Sequence, residues 1–386
     1  MWLLYTQCQL PLRNLFFFLG TSKMTDASTI FTVISAVIGS CGVIFNLLLC
    51  LMFFKNPQLL DAPNIFIMNM SLGGFIQSVV ATPLLVLSNS RGEWPFGDAA
   101  CNGYGFTVTF FGLSSMMHLT AVSYERYTTF CRLLDGNNGA AQFSKKKATV
   151  FSILLWCYSF FWSLMPITGW SNYIPEGIET CCAIDWRSQE PTHVSYDFCL
   201  LFMCYIIPIA MTVTCYYKSY KAFYQHAQQN NWNNNNMHDI QDTLAKERKM
   251  ATVTVSMTTG YLVAWTPYLI YAILANAKPS LITGLAASIP AYIAKSSFCY
   301  NPLIYAFVDE KIREKLMETF FCKTSQVHPH PTLALAEVDW NKTSPLFFFS
   351  FFFFFFFLSL YIYIYIFHTN VNWVKHTSLF FTAPED

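Results

Sequence analysis

Residues 288–307, SIPAYIAKSSFCYNPLIYAF, form a stretch long and apolar enough to cross a bilayer, with one basic residue, Lys295, near its middle. A charged lysine at the bilayer centre costs about 2.5–3.5 kcal/mol on insertion scales. Snorkelling offers little relief, because Lys295 lies about three helical turns from the end of the span. Such a lysine needs an acidic partner, a neutral state or a covalent bond. A desolvated amine is also a nucleophile toward a carbonyl. Taken alone, the stretch leaves open a lysine paired with an acid, an ion-coupling lysine and a lysine that captures an aldehyde.

The rest of the chain agrees with a membrane setting. Hydrophobic residues make up 54% of it and charged residues 12%, about half the charge of an ordinary soluble domain. Seven apolar stretches, near 29–54, 64–88, 98–124, 148–169, 196–218, 249–275 and 281–307, can each cross the ~30 Å hydrocarbon core. An all-α membrane protein, a bundle of seven transmembrane helices, is therefore expected over 29–308. Lys55, Arg132, Lys145, Lys146, Lys147, Lys218, Lys221, Lys246, Arg248 and Lys249 fall on one side of it. Arg91, Arg187 and Lys278 are the main cations opposite. The positive-inside rule puts the amino terminus outside the cell membrane and the carboxyl terminus in the cytoplasm. The net charge of +1 and the lack of a basic patch interleaved with aromatics give no support to nucleic-acid binding.

Segment 1–28 is expected to be extracellular. Within it, 1–23 lacks a convincing signal cleavage site, and Met24 is the expected functional start. Segment 309–322 begins DEKIREKLMETF, whose Ile312, Leu316 and Phe320 recur as on an amphipathic eighth helix lying on the membrane, with Phe321 beside them. Cys322 follows as a candidate for lipidation. Segment 323–386 reads as a cytoplasmic tail. Its stretch 346–367, LFFFSFFFFFFFLSLYIYIYIF, is long enough to span, but its low complexity favours translated non-coding sequence over another helix. QNNWNNNN at 229–236 reads as a flexible loop.

The 13 cysteines are scattered, and most lie inside apolar stretches as small apolar residues. Cys101, at the outer end of the third stretch, and the pair Cys181 and Cys182, in the second outer loop, suit a disulfide. Spacing does not choose between the two loop cysteines. No metal-ligand cluster, phosphate-binding glycine loop or Ser/His/Asp arrangement stands out, so neither a metal site nor a catalytic residue is proposed.

Further motifs fall on successive spans. Asn46 lies in the first, Glu125-Arg126-Tyr127 ends the third, Trp156 lies in the fourth, and Pro208 and Tyr216 in the fifth. Ala264-Trp265-Thr266-Pro267-Tyr268 occupies the sixth and Asn301-Pro302-Leu303-Ile304-Tyr305 the seventh. Each is weak alone. In this order, over roughly 28–323, they resemble the rhodopsin-like receptor family. A lysine six residues before the Asn-Pro pair resembles the opsins within it, as does GWSNYIPEGIETCCAIDW at 169–186.

That resemblance implies retinal, 11-cis or all-trans, held as a Schiff base on Lys295, and a Cys101–Cys182 disulfide that leaves Cys181 free. A protonated Schiff base needs an anion nearby. Tyr104 stands where vertebrate visual opsins place a glutamate, and a tyrosine with an ordinary pKa of ~10 carries no charge at neutral pH. Glu176 aligns instead with the displaced counterion of many non-visual and invertebrate opsins; without the resemblance it would read as a solvated loop carboxylate. Asp185 fits a role in stabilising the loop. A displaced counterion implies a bistable pigment, in which the all-trans chromophore stays attached after illumination. Thr109, Gly112, Leu113, Cys204, Tyr205, Trp265, Tyr268 and Ala291 are expected around retinal, although Trp265 and Gly112 would also suit ordinary helix packing.

The resemblance further implies a light-sensing receptor whose partners are a heterotrimeric G protein, arrestin and the lipid bilayer. Arg126 is expected to pair with Glu247 and Glu125 at rest, with Tyr216 and Tyr305 turning inward on activation. Tyr127, Asn301 and Pro302 complete this switch. One departure is Gly74, where most of the family has a sodium-binding aspartate beside residues matching Ser115 and Asn301. Its loss is expected to abolish sodium sensitivity and raise dark signalling. Two other readings share these features: a retinal photoisomerase resembling retinochrome, and a receptor for a diffusible ligand in which Lys295 is incidental.

Overall fold

The computed structural model describes residues 26–134, 143–229, 237–280 and 284–320, with side chains outside the description at 26–27, 133–134, 223–229, 237–251, 307–308 and 310. Helices α1 (Asp26–Lys55), α2 (Ala62–Arg91), α3 (Gly97–Leu134) and α4 (Lys145–Leu164) are followed by a hairpin of β1 (Tyr173–Glu176) and β2 (Cys181–Ile184). Next come α5 (Pro191–Leu201), a π-helical turn at Phe202–Ile206, and α6 (Ile207–Gln229). Helices α7 (Met237–Ala277), α8 (Leu285–Val308) and α9 (Glu310–Phe320) complete the described fold. Because α5 and α6 continue through the π turn as one span, the architecture is a bundle of seven transmembrane helices with a short eighth.

Among the described residues, five spans are long and apolar enough to cross a membrane by length and composition: α1, α2, α3, α4 and the joined α5–α6. The other two, α7 and α8, are diluted by residues such as Thr258, Thr259 and Tyr268 in one and Ser288, Lys295 and Asn301 in the other. These are helices whose inner faces carry polar groups.

Burial separates inside from outside. Ile30, Val33, Val37, Ile153, Leu154, Phe160, Phe161 and Val213 are exposed, whereas Asn46, Ser78, His118, Ser123, Ser159 and Asn301 are buried. This inverts the soluble pattern, as expected where lipid covers the apolar faces and buried polar groups bond across helices. Asn46 donates to the carbonyls of Gly42 at 2.8 Å and Phe298 at 3.0 Å, tying α1 to α8. Trp156 Nε1 donates to Asn69 Oδ1 at 2.9 Å, tying α4 to α2.

Several helices run past the apolar stretches, because polar residues continue a helix beyond the hydrocarbon once it has formed. α3 reaches Leu134 rather than 124, and α7 begins at Met237 rather than 249. α4 ends earlier than expected, at Leu164, with a turn before Gly169, whose φ is 98°. At the other end of the bundle, Asp309 leaves the helical conformation and its carboxylate accepts from Ile312 N at 3.2 Å, starting α9. Ile312 is buried, Leu316 and Phe320 are half-buried, and Lys55 lies 5.1 Å from the Phe320 ring centroid. Residues 1–23, Cys322 and the 346–367 stretch lie outside the described residues.

Candidate functional site

The hairpin lies over one end of the bundle, against α3. Its antiparallel register pairs Tyr173 with Ile184, Pro175 with Cys182 and Glu176 with Cys181. Cys182 is bonded to Cys101 at the start of α3. Consecutive residues of a strand point to opposite faces, so Cys181 is turned away from that bond. Its sulfur accepts from Lys295 Nζ at 3.6 Å. The turn between the strands is fitted to α8: Ile178 N donates to Ser288 Oγ at 2.9 Å, and Gly177 has φ of 65°.

Glu176 sits opposite Cys181 and is 3% exposed. Its Oε1 accepts from the Tyr268 hydroxyl at 3.0 Å, and that hydroxyl accepts from Trp186 Nε1 at 2.9 Å. Oε2 is buried with no partner at ordinary hydrogen-bond geometry. Burial pushes the Glu176 carboxyl up to about 7, while Lys295 pulls it down most strongly, followed by Tyr268. Burial likewise pushes the Cys181 thiol up, which keeps it protonated at neutral pH. One buried place thus holds an amine, a thiol and a carboxyl with an unused oxygen.

Beneath the hairpin is a cavity of about 400 Å³, within the usual size of small-molecule sites. Thr109, Leu113, Cys204, Tyr205, Trp265, Tyr268, Ala291 and Lys295 all lie on its wall. Gly112 stands behind that wall: a Cβ there would come within 3.0 Å of the Trp265 indole. Trp265 stacks on Tyr261 with centroids 5.4 Å apart, and its Nε1 donates to Ser297 at 3.0 Å. The π turn brings Cys204 to the cavity; such turns often re-aim side chains at functional sites. Tyr104 is buried with its hydroxyl unpartnered and lines a smaller neighbouring cleft, which Lys295 also borders.

At the opposite end, Arg126 Nε and Glu125 Oε2 form a buried ion pair at 2.6 Å, and Thr129 donates to Glu125 Oε1 at 2.9 Å. Tyr127 is half-buried, and Lys218 Nζ lies 5.8 Å from its ring centroid. The Tyr216 hydroxyl shares a hydrogen bond with Ser123 at 3.0 Å, and Tyr305 donates to Asn64 Oδ1. Pro302 lies inside α8, and Asn301 Oδ1 is buried without a partner. Glu247 falls on α7 where side chains lie outside the description. A Cβ at Gly74 would sit 2.9 Å from Asn46 Oδ1, so Asn46 occupies the room that a side chain would need.

Sequence reasoning missed three contributors. Cys181 was left without a role, although it touches the lysine. Trp186 joins the Glu176 network through Tyr268. Asp197 lies on the cavity wall, and the rule that singled out Lys295, a charge inside an apolar span, applies equally to it.

Comparison with known proteins agrees with this fold. The description "7 transmembrane receptor (rhodopsin family)" matches residues 45–305. Vertebrate ancient opsin from Salmo salar is 31% identical over 289 residues, covering 74% of this chain and 85% of that protein. Melanopsin-B from Xenopus laevis is 33% identical over 289 residues, again 74% of this chain. The chain spans about half the length of the melanopsins it matches, 54% in that case. The crystal structure of squid rhodopsin superposes with a TM-score of 0.70 at 28% identity, covering 78% of this chain and 89% of that one. A Lys-bearing span beneath a disulfide-anchored lid, on a chain matched along most of its length by such proteins, belongs to the rhodopsin family of seven-transmembrane receptors and, within it, to the opsins.

Proposed function

We propose that the protein is a light-sensing receptor in the cell membrane that carries retinal covalently on Lys295. The observation that carries this reading is Lys295 itself, on the wall of a largely apolar cavity, with the buried carboxyl of Glu176 close enough to act on it. The residues present fit the group. The amine can bond an aldehyde, the cavity suits a polyene, and the unpartnered Glu176 Oε2 is available to a positive charge. Bound retinal supplies the light absorption and the change of shape.

In this reading Lys295 anchors, Glu176 is the counterion and the Cys181 sulfur contacts the linkage. The Cys101–Cys182 bond holds the lid that keeps water out. Trp265 and Tyr268 pack against the ligand and Tyr268 orients Glu176. Retinal shifts the receptor only by the difference in its fit to two states. Arg126, Tyr216 and Tyr305 are held at the other end by Glu125, Ser123 and Asn64. Their release would open a cleft for a helix of a heterotrimeric G protein, and arrestin would use the same face. The amino terminus is extracellular and the carboxyl terminus cytoplasmic.

The test is the absorption spectrum of the membrane-expressed protein after dark incubation with 11-cis-retinal and, separately, all-trans-retinal. A retinal-dependent visible band, absent in Lys295→Ala, is expected. Preference for the all-trans isomer, with release of the 11-cis form after light, would replace signalling by photoisomerase activity. No band with either isomer in folded protein would overturn the retinal reading and leave a receptor for a diffusible ligand.

A further inference from the structure

The same cavity presents a carboxyl as well as the lysine amine. Asp197, in the second turn of α5, is 5% exposed and lies on the cavity wall. Its Oδ2 accepts from Asn276 Nδ2 on α7 at 3.0 Å. Its Oδ1 is buried with no hydrogen-bond partner. The Asn276 backbone is itself steadied, since its main-chain carbonyl accepts from Gln189 Nε2 at 2.9 Å. The neighbouring wall is apolar, formed by Phe198, Leu200, Leu201 and Ile273. A carboxyl oxygen left unsatisfied in such a wall is unfavourable unless a ligand brings it a donor.

Position matters as much as chemistry. Asp197 lies one turn before Leu200 and Leu201 and about 10 Å along the helix from Cys204. Among the described residues, α8 packs chiefly against α1, α2, α7 and α9, and α5 is not among its main neighbours. Lys295 and Asp197 therefore reach the cavity from different walls, one suited to the aldehyde end of a ligand and the other to its far end.

We propose that the cavity is built for a retinoid whose ring carries a hydroxyl, which Asp197 and Asn276 bind while Lys295 takes the aldehyde. This rests on the retinal reading and names the class of chromophore. A hydroxyl both donates and accepts, so it can satisfy Asp197 Oδ1 and remain within reach of the Asn276 amide. The apolar surroundings accept the ring that bears it. A plain hydrocarbon ring would leave the acid unsatisfied.

The test uses probes that cannot depend on Lys295: β-ionone and its 3-hydroxy and 4-hydroxy derivatives, which lack the polyene aldehyde. Binding is followed by thermal unfolding of the retinal-free, full-length protein over a range of probe concentrations. At least one hydroxylated probe should bind about tenfold tighter than β-ionone, about the worth of one well-made net hydrogen bond. Asp197→Val should abolish that preference, and Asn276→Leu, a second variant in case the first fails to fold, should reduce it. Equal affinity for all three probes, or a preference that survives Asp197→Val, would overturn the proposal. So would stabilisation by cyclohexylmethylamine but not by the hydroxylated ionones, which would mark a cation site. Pigment formation by unsubstituted retinal separates the two readings. Pigment without hydroxyl preference removes this subsite alone, whereas hydroxyl preference without pigment removes the Lys295 reading alone.

Discussion

The sulfur of Cys181 accepts from Lys295 Nζ at 3.6 Å, while the adjacent Cys182 is bonded to Cys101. One disulfide therefore fixes both the lid and the group that meets the lysine. If the linkage on Lys295 keeps this contact, Cys181→Val should lower the pH at which a visible retinal band gives way to an ultraviolet one, because the charged form loses an acceptor. Cys181→Ser should stay close to the wild type. Titration of the three spectra checks this, and identical midpoints would remove the thiol from the site.

The pH behaviour of the retinal-free protein follows from Glu176. Its carboxyl is raised from the ordinary 4.5 to about 7. Between these values the folded protein keeps a proton that the unfolded chain has lost, so this group's contribution to stability falls as pH rises. The thermal midpoint of the wild type should therefore drop relative to Glu176→Gln between about pH 4.5 and 7. Parallel midpoints across that window would show that Glu176 is not buried as described.

With retinal bound, Glu176→Gln is expected to move absorption at neutral pH from the visible toward the ultraviolet, since the linkage loses its anion. An unchanged visible spectrum would exclude Glu176 as counterion.

Gly177→Ala should destabilise the lid turn. Gly177 has φ of 65°, and an added Cβ would lie 2.1 Å from Ser288 Oγ and 2.9 Å from Ser288 N. Overpacking of this kind costs about 1–3 kcal/mol. Gly103→Ala, where nothing lies within 4 Å, is the control. Equal thermal midpoints for the two variants would contradict the fit of this turn against α8.

Sodium should not matter to this receptor. Gly74 offers no carboxylate, and Asn46 fills the adjoining space through its bonds to Gly42 and Phe298. Replacing sodium by choline at constant ionic strength should leave the thermal midpoint unchanged. A sodium-specific rise would show that another ligand set replaces the missing aspartate.

Much was legible in the chain because a bilayer imposes a simple demand. Each crossing needs about 20 apolar residues with its backbone bonds closed internally, so the seven spans, the sided charges and the lysine inside an apolar run could be read directly. The amphipathic repeat of Ile312, Leu316 and Phe320 likewise announced α9. Helix ends were less legible, as at α3 and α7, because polar residues can extend a helix into water without a hydropathy signal. Gly112 was placed on the ligand wall, yet it stands behind Trp265; alignment along a helix does not say which side chain intervenes.

By itself, the sequence determined that this is a membrane helix bundle with a lysine inside one apolar span, because those properties depend on composition and spacing along one chain. Only the tertiary structure decided which groups meet that lysine. The two-residue alternation of β2 sends Cys182 to Cys101 and Cys181 to Lys295. The hairpin register sets Glu176 beside Cys181, and helix packing turns Asp197 into the cavity. These relations join residues up to 119 positions apart, as between Glu176 and Lys295, and no local pattern encodes which faces will meet.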